Sequence, residues 1–88
     1  MYQKEIIVTN QVGLHARPAT FFIQKANEFK SSIWIERENN KRVNAKSLLG
    51  VLSLGIMRGV EIMISAEGPD ENDAVEALIN LISNNFAE

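Results

Sequence analysis

The sequence predicts an α+β fold. One four-stranded antiparallel sheet carries three helices on one face, as an open-faced β-sandwich in the order β-α-β-β-α-β-α. Three observations predict it. The hydrophobic period switches along the chain between two residues and three to four. Each strand-like segment has one apolar and one mostly polar face, as in a sheet covered on one side only. The chain has 88 residues and no cysteine, so residues 1–88 are expected to form one domain with one core and no disulfide.

The elements follow in order. In "YQKEIIVT", Tyr2, Ile6 and Val8 share one face, with Lys4 between them, and Ile7 falls on the other. From Ala16 to about Phe29 the period is helical, with Ala19, Phe22, Ile23 and Ala26 on one stripe. "SIWIER" alternates again: Ile33 and Ile35 point one way, Trp34 and Glu36 the other. Asn39-Asn40 suits the positive φ of a tight hairpin, with "RVNA" as a short return strand. "SLLGVLSLG" allows one or two helical turns from Ser47, punctuated by glycine. In "VEIMISAEG", Val60, Ile62, Ile64 and Ala66 form one face, and Glu61, Met63 and Ser65 the other. Asp70 is a good N-cap, and Glu71 and Asp73 favour the first turn of the last helix. Ala74, Val75, Leu78, Ile79, Leu81 and Ile82 mark the buried side of that helix. By parity, Trp34 and Met63 lie on the wet face of the sheet. A lone exposed aromatic there is ordinary.

Composition narrows the function. The net charge is -2, which argues against bulk nucleic-acid binding. Residues 1–60 nevertheless carry nine basic and four acidic side chains, whereas residues 61–88 carry seven acidic and none basic. This reads either as a solvated acidic helix or as a basic functional end made for acidic partners. The segment "MYQKEIIVTN" lacks the apolar stretch of a signal peptide, and no apolar run reaches the roughly 18 residues of a membrane span. The absence of cysteine fits a reducing compartment, and a cytoplasmic location is expected.

The stretch "VGLHARPAT" holds the only histidine, His15. If the first helix begins at Ala16, His15 is its N-cap. The free N–H groups and positive dipole end there suit an anion. A neutral histidine is an odd cap, since Ser, Asp or Asn serves better. A second positive charge is disfavoured at that end, so the place suits a neutral, nucleophilic imidazole. Gly13 supplies the turn, and Arg17 adds a planar fork matched to phosphate oxygens. Pro18 gives up an N–H that has no intrahelical partner anyway. On residue type alone, a single histidine in a small protein is usually a surface residue. The combination points instead to an imidazole that carries a phosphoryl group. No second histidine and no cysteine can join it as metal ligands, so neither metal nor cofactor is expected.

In "NAKSLLG", Ser47 starts the second helix. It reads as a plain N-cap or as a phosphorylatable hydroxyl, since phosphate is tolerated at a helix N-terminus. Lys46 adds positive charge beside it. Leu48, Leu49, Val51 and Leu52 cannot all be buried in so short a helix. Some of them are expected to form an exposed apolar patch for a partner, together with Thr20 on the first helix.

At these residues the chain resembles the HPr family, the histidine-containing phosphocarriers of the bacterial sugar phosphotransferase system. "GLHARPAT" is similar to the family's active-site signature, and "NAKSLLGVLSLG" to its serine-site signature. The resemblance spans essentially the whole chain, including "ISAEGPDENDAVEAL". It implies an HPr-like fold in which His15 accepts a phosphoryl group on Nδ1 from phosphorylated enzyme I. His15 then donates the group to IIA domains of sugar permeases, with Arg17 holding the phosphate. Such a protein is a carrier rather than a turnover catalyst. Ser47 would be the regulatory serine of an ATP-dependent HPr kinase/phosphorylase, and its phosphorylated form a corepressor for a catabolite-control transcription regulator. The two helix starts would then lie at the same end or edge of the domain, facing one partner surface. A monomer is expected. "RENNKR" is a residue longer than the corresponding hairpin of common members.

Other readings compete. A purely regulatory paralogue works through the serine alone, but known members of that kind lack the histidine. A nitrogen-branch carrier shares the histidine and serves another circuit. A sheet-based RNA-binding module needs basic and aromatic residues on its wet face, where only Trp34 fits.

Overall fold

The structure is a computed structural model and describes residues 1–38 and 42–86. Four strands, β1 (Tyr2–Ile7), β2 (Ser32–Arg37), β3 (Val43–Asn44) and β4 (Glu61–Glu67), form one sheet in the order β1-β4-β2-β3. Each neighbouring pair is antiparallel. Helices α1 (Ala16–Ala26), α2 (Leu48–Ser53) and α3 (Glu71–Ser83) complete the predicted order. The turn expected at Asn39-Asn40 lies outside the described residues.

The registers show why one face is covered. Ile64 on the central strand stands between Lys4 and Ile35, and Ala66 between Tyr2 and Ile33. Ile33, Ile35, Ile62, Ile64 and Ala66 are buried, together with Phe22 of α1, Val51 of α2 and Leu78 of α3. Lys4 shares this face but lies on an edge strand. Its ammonium reaches Glu76 of α3 at 2.7 Å, and the Tyr2 hydroxyl donates to the same carboxylate. Lys4 and Tyr2 together hold the Glu76 carboxyl below its ordinary pKa. The opposite face carries Glu5, Glu36, Glu38 and Glu61 around Met63. These carboxylates repel a polyanion, which disfavours the RNA-binding alternative.

Four expectations need correction. Ser65 has the parity of the wet face yet is buried, because the central strand places it between Gln3 and Trp34. Trp34 is half-buried rather than exposed, and the Arg42 guanidinium lies 4.3 Å from its ring centroid. Helix α1 stops at Ala26, not Phe29. Asn27 turns its side-chain amide back to the Ile23 carbonyl at 2.9 Å, a local bond that competes with helix continuation.

Asp70 precedes α3 but makes no cap bond. Its carboxylate instead accepts from the Lys30 and Ser31 amides, each at 2.9 Å, and from the Ser31 hydroxyl. These bonds, the hydroxyl's foremost, lower its pKa to about 2. Glu71 reaches back to the Gly68 amide in its place.

Candidate functional site

The loop entering α1 rests on the segment that follows α2. Gly13 has φ +64, and a Cβ there would stand 2.5 Å from the Ile56 carbonyl oxygen and 2.6 Å from the Met57 Cα. Only glycine fits both demands. Leu14 is buried, and its amide donates to Ile56 O at 3.0 Å. The Asn10 amide nitrogen donates to Gly13 O at 2.8 Å, closing the loop from within. Buried Leu14 thus anchors the chain one residue before the histidine.

His15 occupies the N-cap position in extended conformation (φ -104, ψ 173) and is exposed. Its side chain makes no cap bond. The first intrahelical bond runs from Ala19 N to His15 O at 3.0 Å. Ala16 and Arg17 lie in the first turn and so lack intrahelical acceptors, while Pro18 has no N–H. Both of these residues are exposed. The α1 start therefore offers two open amides beside an unrestrained imidazole. Helix α1 has no acidic residue in its first turn, so nothing there competes with an incoming anion.

Arg17 is exposed, and its guanidinium carbon lies 5.5 Å from the Phe21 ring centroid. It is laid along the helix toward Phe21, one turn on. The Thr20 hydroxyl is likewise turned back to the Ala16 carbonyl at 3.2 Å. Sequence reasoning missed the opposite wall. An open hollow beside His15 is lined by Gln11, Val12, Met57 and Arg58. Val12 and Met57 are 56% and 66% exposed, a high value for large apolar side chains. Met57 and Arg58 stand more than 40 residues along the chain from His15, and no local pattern in "IMRGVE" points to it.

Ser47 caps α2, its Oγ accepting from Gly50 N at 3.1 Å. It is half-buried. The apolar residues after it divide. Leu48 and Leu49 are exposed, Leu52 is half-buried, and Val51 is fully buried in the core. Val51 is therefore no part of an exposed patch, because it lies on the side of the short helix turned to the core. Lys46 is not a free cation beside the serine either. Its ammonium donates to the Phe29 carbonyl at 2.7 Å.

Of the shared end or edge expected for the two helix starts, the shared end is corrected. The α2 start lies by the α1 end, where Asn27 Nδ2 reaches Lys46 O at 3.5 Å. The α2 exit lies by the α1 start, through Leu14 N to Ile56 O. The helices are antiparallel, so His15 and Ser47 stand apart by about the length of α1, roughly 16 Å for eleven residues. Arg37 fastens the α2 exit, donating to Leu54 O and Gly55 O at 2.9 Å each.

Among the described residues no group of three or more His, Cys, Asp or Glu is placed to hold a metal ion. No helix there is long and apolar enough to cross a membrane.

Residues 2–84 match the family described as the PTS HPr component phosphorylation site. The HPr-like protein Crh of Halalkalibacterium halodurans is 49% identical over 82 residues, covering 93% of this chain and 96% of that one. The crystal structure of HPr-C-His from Thermoanaerobacter tengcongensis superposes with a TM-score of 0.95 at 49% identity, covering 100% of this chain and 98% of the other. The HPr dimer from the same organism gives a TM-score of 0.78 at 49% identity, with both chains covered in full. Crh of Bacillus subtilis, a domain-swapped dimer, gives 0.76 at 39% identity, again with both chains covered in full.

The last two findings overturn the expectation of a monomer. The swapped relative supplies the physical reason: two copies of one chain can exchange an identical element, so that contacts made within one chain are remade between two. Nothing in the composition of one chain reports that.

Proposed function

The chain belongs to the HPr family of phosphocarrier proteins, and on that premise we propose that His15 is its phosphoryl acceptor. The observation that carries this is the exposed, uncapped imidazole at the amide end of an eleven-residue helix. The donor is phosphorylated enzyme I. The Nδ1 lone pair forms the new P–N bond as the bond from phosphorus to the donor breaks, and the departing donor takes up the proton the ring gives up. The amides of Ala16 and Arg17 and the Arg17 guanidinium, swung from Phe21, hold the phosphate oxygens. The group then passes to IIA domains of sugar permeases. The protein is regenerated only through its partners, as a carrier rather than a turnover catalyst. Exposed Leu48 and Leu49, half-buried Leu52, Thr20 and the end of α1 offer the docking face.

Ser47 is the second site in this reading, modified by HPr kinase/phosphorylase for carbon catabolite regulation with a catabolite-control transcription regulator. The 49% identity to an HPr-like protein Crh keeps a second reading beside the first, a regulatory paralogue that works mainly by binding partners. One experiment separates the two. The protein is incubated with enzyme I and phosphoenolpyruvate, and separately with HPr kinase and ATP, and the modified residue is mapped. The carrier reading expects an acid-labile, base-stable adduct on His15. Modification of Ser47 with none at His15 would assign the paralogue. The dimers of the relatives imply that this chain also pairs, which light scattering across a concentration series would register as a doubling of mass.

A further inference from the structure

In this structure the arginine nearest His15 in sequence lies over the Phe21 ring. A different arginine faces the hollow. Arg58 lines the depression beside His15 with Gln11, Val12 and Met57. It also lines the adjoining hollow behind Pro18, with Thr9, Asn10 and Asn85. Gln11, Val12 and Arg58 line both hollows, so Arg58 stands where the two meet.

Its backbone is fixed. Val60 N donates to Met57 O at 3.1 Å, closing a tight turn with Arg58 and Gly59 at its corners. Gly59 has φ +91, the conformation a type II turn requires at that corner. Gly59 N donates to Val8 O at 2.7 Å, and Val8 N to Val60 O at 2.9 Å, which ties the turn to the start of the loop carrying His15. Among the described residues, no carboxylate lies within 4 Å of the Arg58 guanidinium, and the side chain is exposed. A cation on an anchored turn, with no carboxylate beside it among the described residues and lining the same hollow as His15, suits a group that becomes anionic only after transfer.

We propose that Arg58 is a positioning residue for the phosphoryl group on His15, approaching it from the side opposite Arg17. The inference rests on His15 being the acceptor. Arg17 comes from the helix and Arg58 from the turn after α2, so the dianion is held between two elements.

The test uses the full chain loaded on His15 by enzyme I and phosphoenolpyruvate, then freed of enzyme I. The pH dependence of the ³¹P chemical shift gives the second pKa of the phosphoryl group with no partner present. An adjacent cation favours the dianion. Arg58→Ala should therefore raise that pKa by about 0.15–0.7 units, the range of an exposed charge pair. Arg58→Lys should recover most of the shift, because the charge survives although the planar fork does not. Arg42→Ala, which removes a cation stacked on Trp34 at the open face of the sheet, should leave the pKa unchanged. Phosphorylation of His15 with the same titration in wild type and Arg58→Ala would overturn the role of Arg58 alone. No phosphorylation of His15 in any of these proteins would overturn the carrier reading and this inference with it.

Discussion

Helices α1 and α2 both begin on a residue proposed to carry phosphate, and their ends are finished in opposite ways. At α2 the Ser47 hydroxyl already accepts the Gly50 amide at 3.1 Å, and the residue is half-buried. At α1 the His15 ring caps nothing, and the first-turn amides open outward. A capped end already holds a first-turn amide, so a group added there must take over that bond. An uncapped end has no stabilising bond to lose, so a group can be added and removed many times without touching the fold. That suits transfer at His15 and a switch at Ser47.

The largest break in this comparison is His15→Ala. It should abolish phosphate acceptance from enzyme I while leaving the midpoint of thermal unfolding unchanged, because no cap bond is lost. A substantial fall in the midpoint would show that the ring stabilises the helix after all. Next comes Gly13→Ala, aimed at the anchor of the open end. The residue has positive φ and no room for a Cβ. A loss of about 2–4 kcal/mol is expected in urea unfolding, with slower transfer among the molecules that stay folded.

Ser47→Asp sharpens the comparison further. Aspartate is an equally good cap, so stability should hold. The separation of roughly 16 Å exceeds the Debye length of about 8 Å at physiological salt, so the new charge barely reaches His15 directly. Transfer from enzyme I should slow by about tenfold at low concentration of this protein, equivalent to about 1.4 kcal/mol of docking energy. Chemical phosphorylation of His15 by phosphoramidate should be unchanged. Equal slowing with both donors would show that the two ends communicate within the protein. Ser47→Ala instead removes the cap and should cost about 1 kcal/mol, with transfer intact.

The smallest effect concerns Asp70, whose carboxylate caps no helix and fastens the Lys30–Ser31 turn. Its folded pKa of about 2 lies below the ordinary value of 3.8. A depressed carboxylate stabilises the fold fully above its unfolded pKa, and that stability fades as pH falls through the folded value. Stability should therefore decline between about pH 4 and pH 2, and Asp70→Asn should flatten that part of the curve while lowering stability at neutral pH. An unchanged acid limb would remove the role given to these bonds.

The fold was legible in the residues because hydrophobic period is a local property. Ile33 and Ile35, and Ile62, Ile64 and Ala66, announce which way each strand faces. Ala19, Phe22 and Ala26 announce the buried stripe of α1, and all of these are buried. His15 as an N-cap and Ser47 as a cap were legible for the same reason, since a cap is decided within four residues. Ser65 was not. Parity assigns a face, but burial depends on which strand is central, and the β1-β4-β2-β3 order is set by long-range pairing.

The sequence by itself determined the strands, the helices, the covered face and the histidine at the start of α1, because spacing and local hydrogen bonding act over a few residues. Only the tertiary structure decided the rest. It placed Gly13 against Ile56 and Met57, set Arg58 beside His15, drew Lys46 to Phe29 and turned Val51 into the core. It also set α1 and α2 antiparallel, so that the two proposed phosphate sites stand a helix length apart. Each of these joins residues whose separation along the chain carries no periodic signal. Their meeting is fixed by how the helices pack on the sheet, which no window of sequence contains.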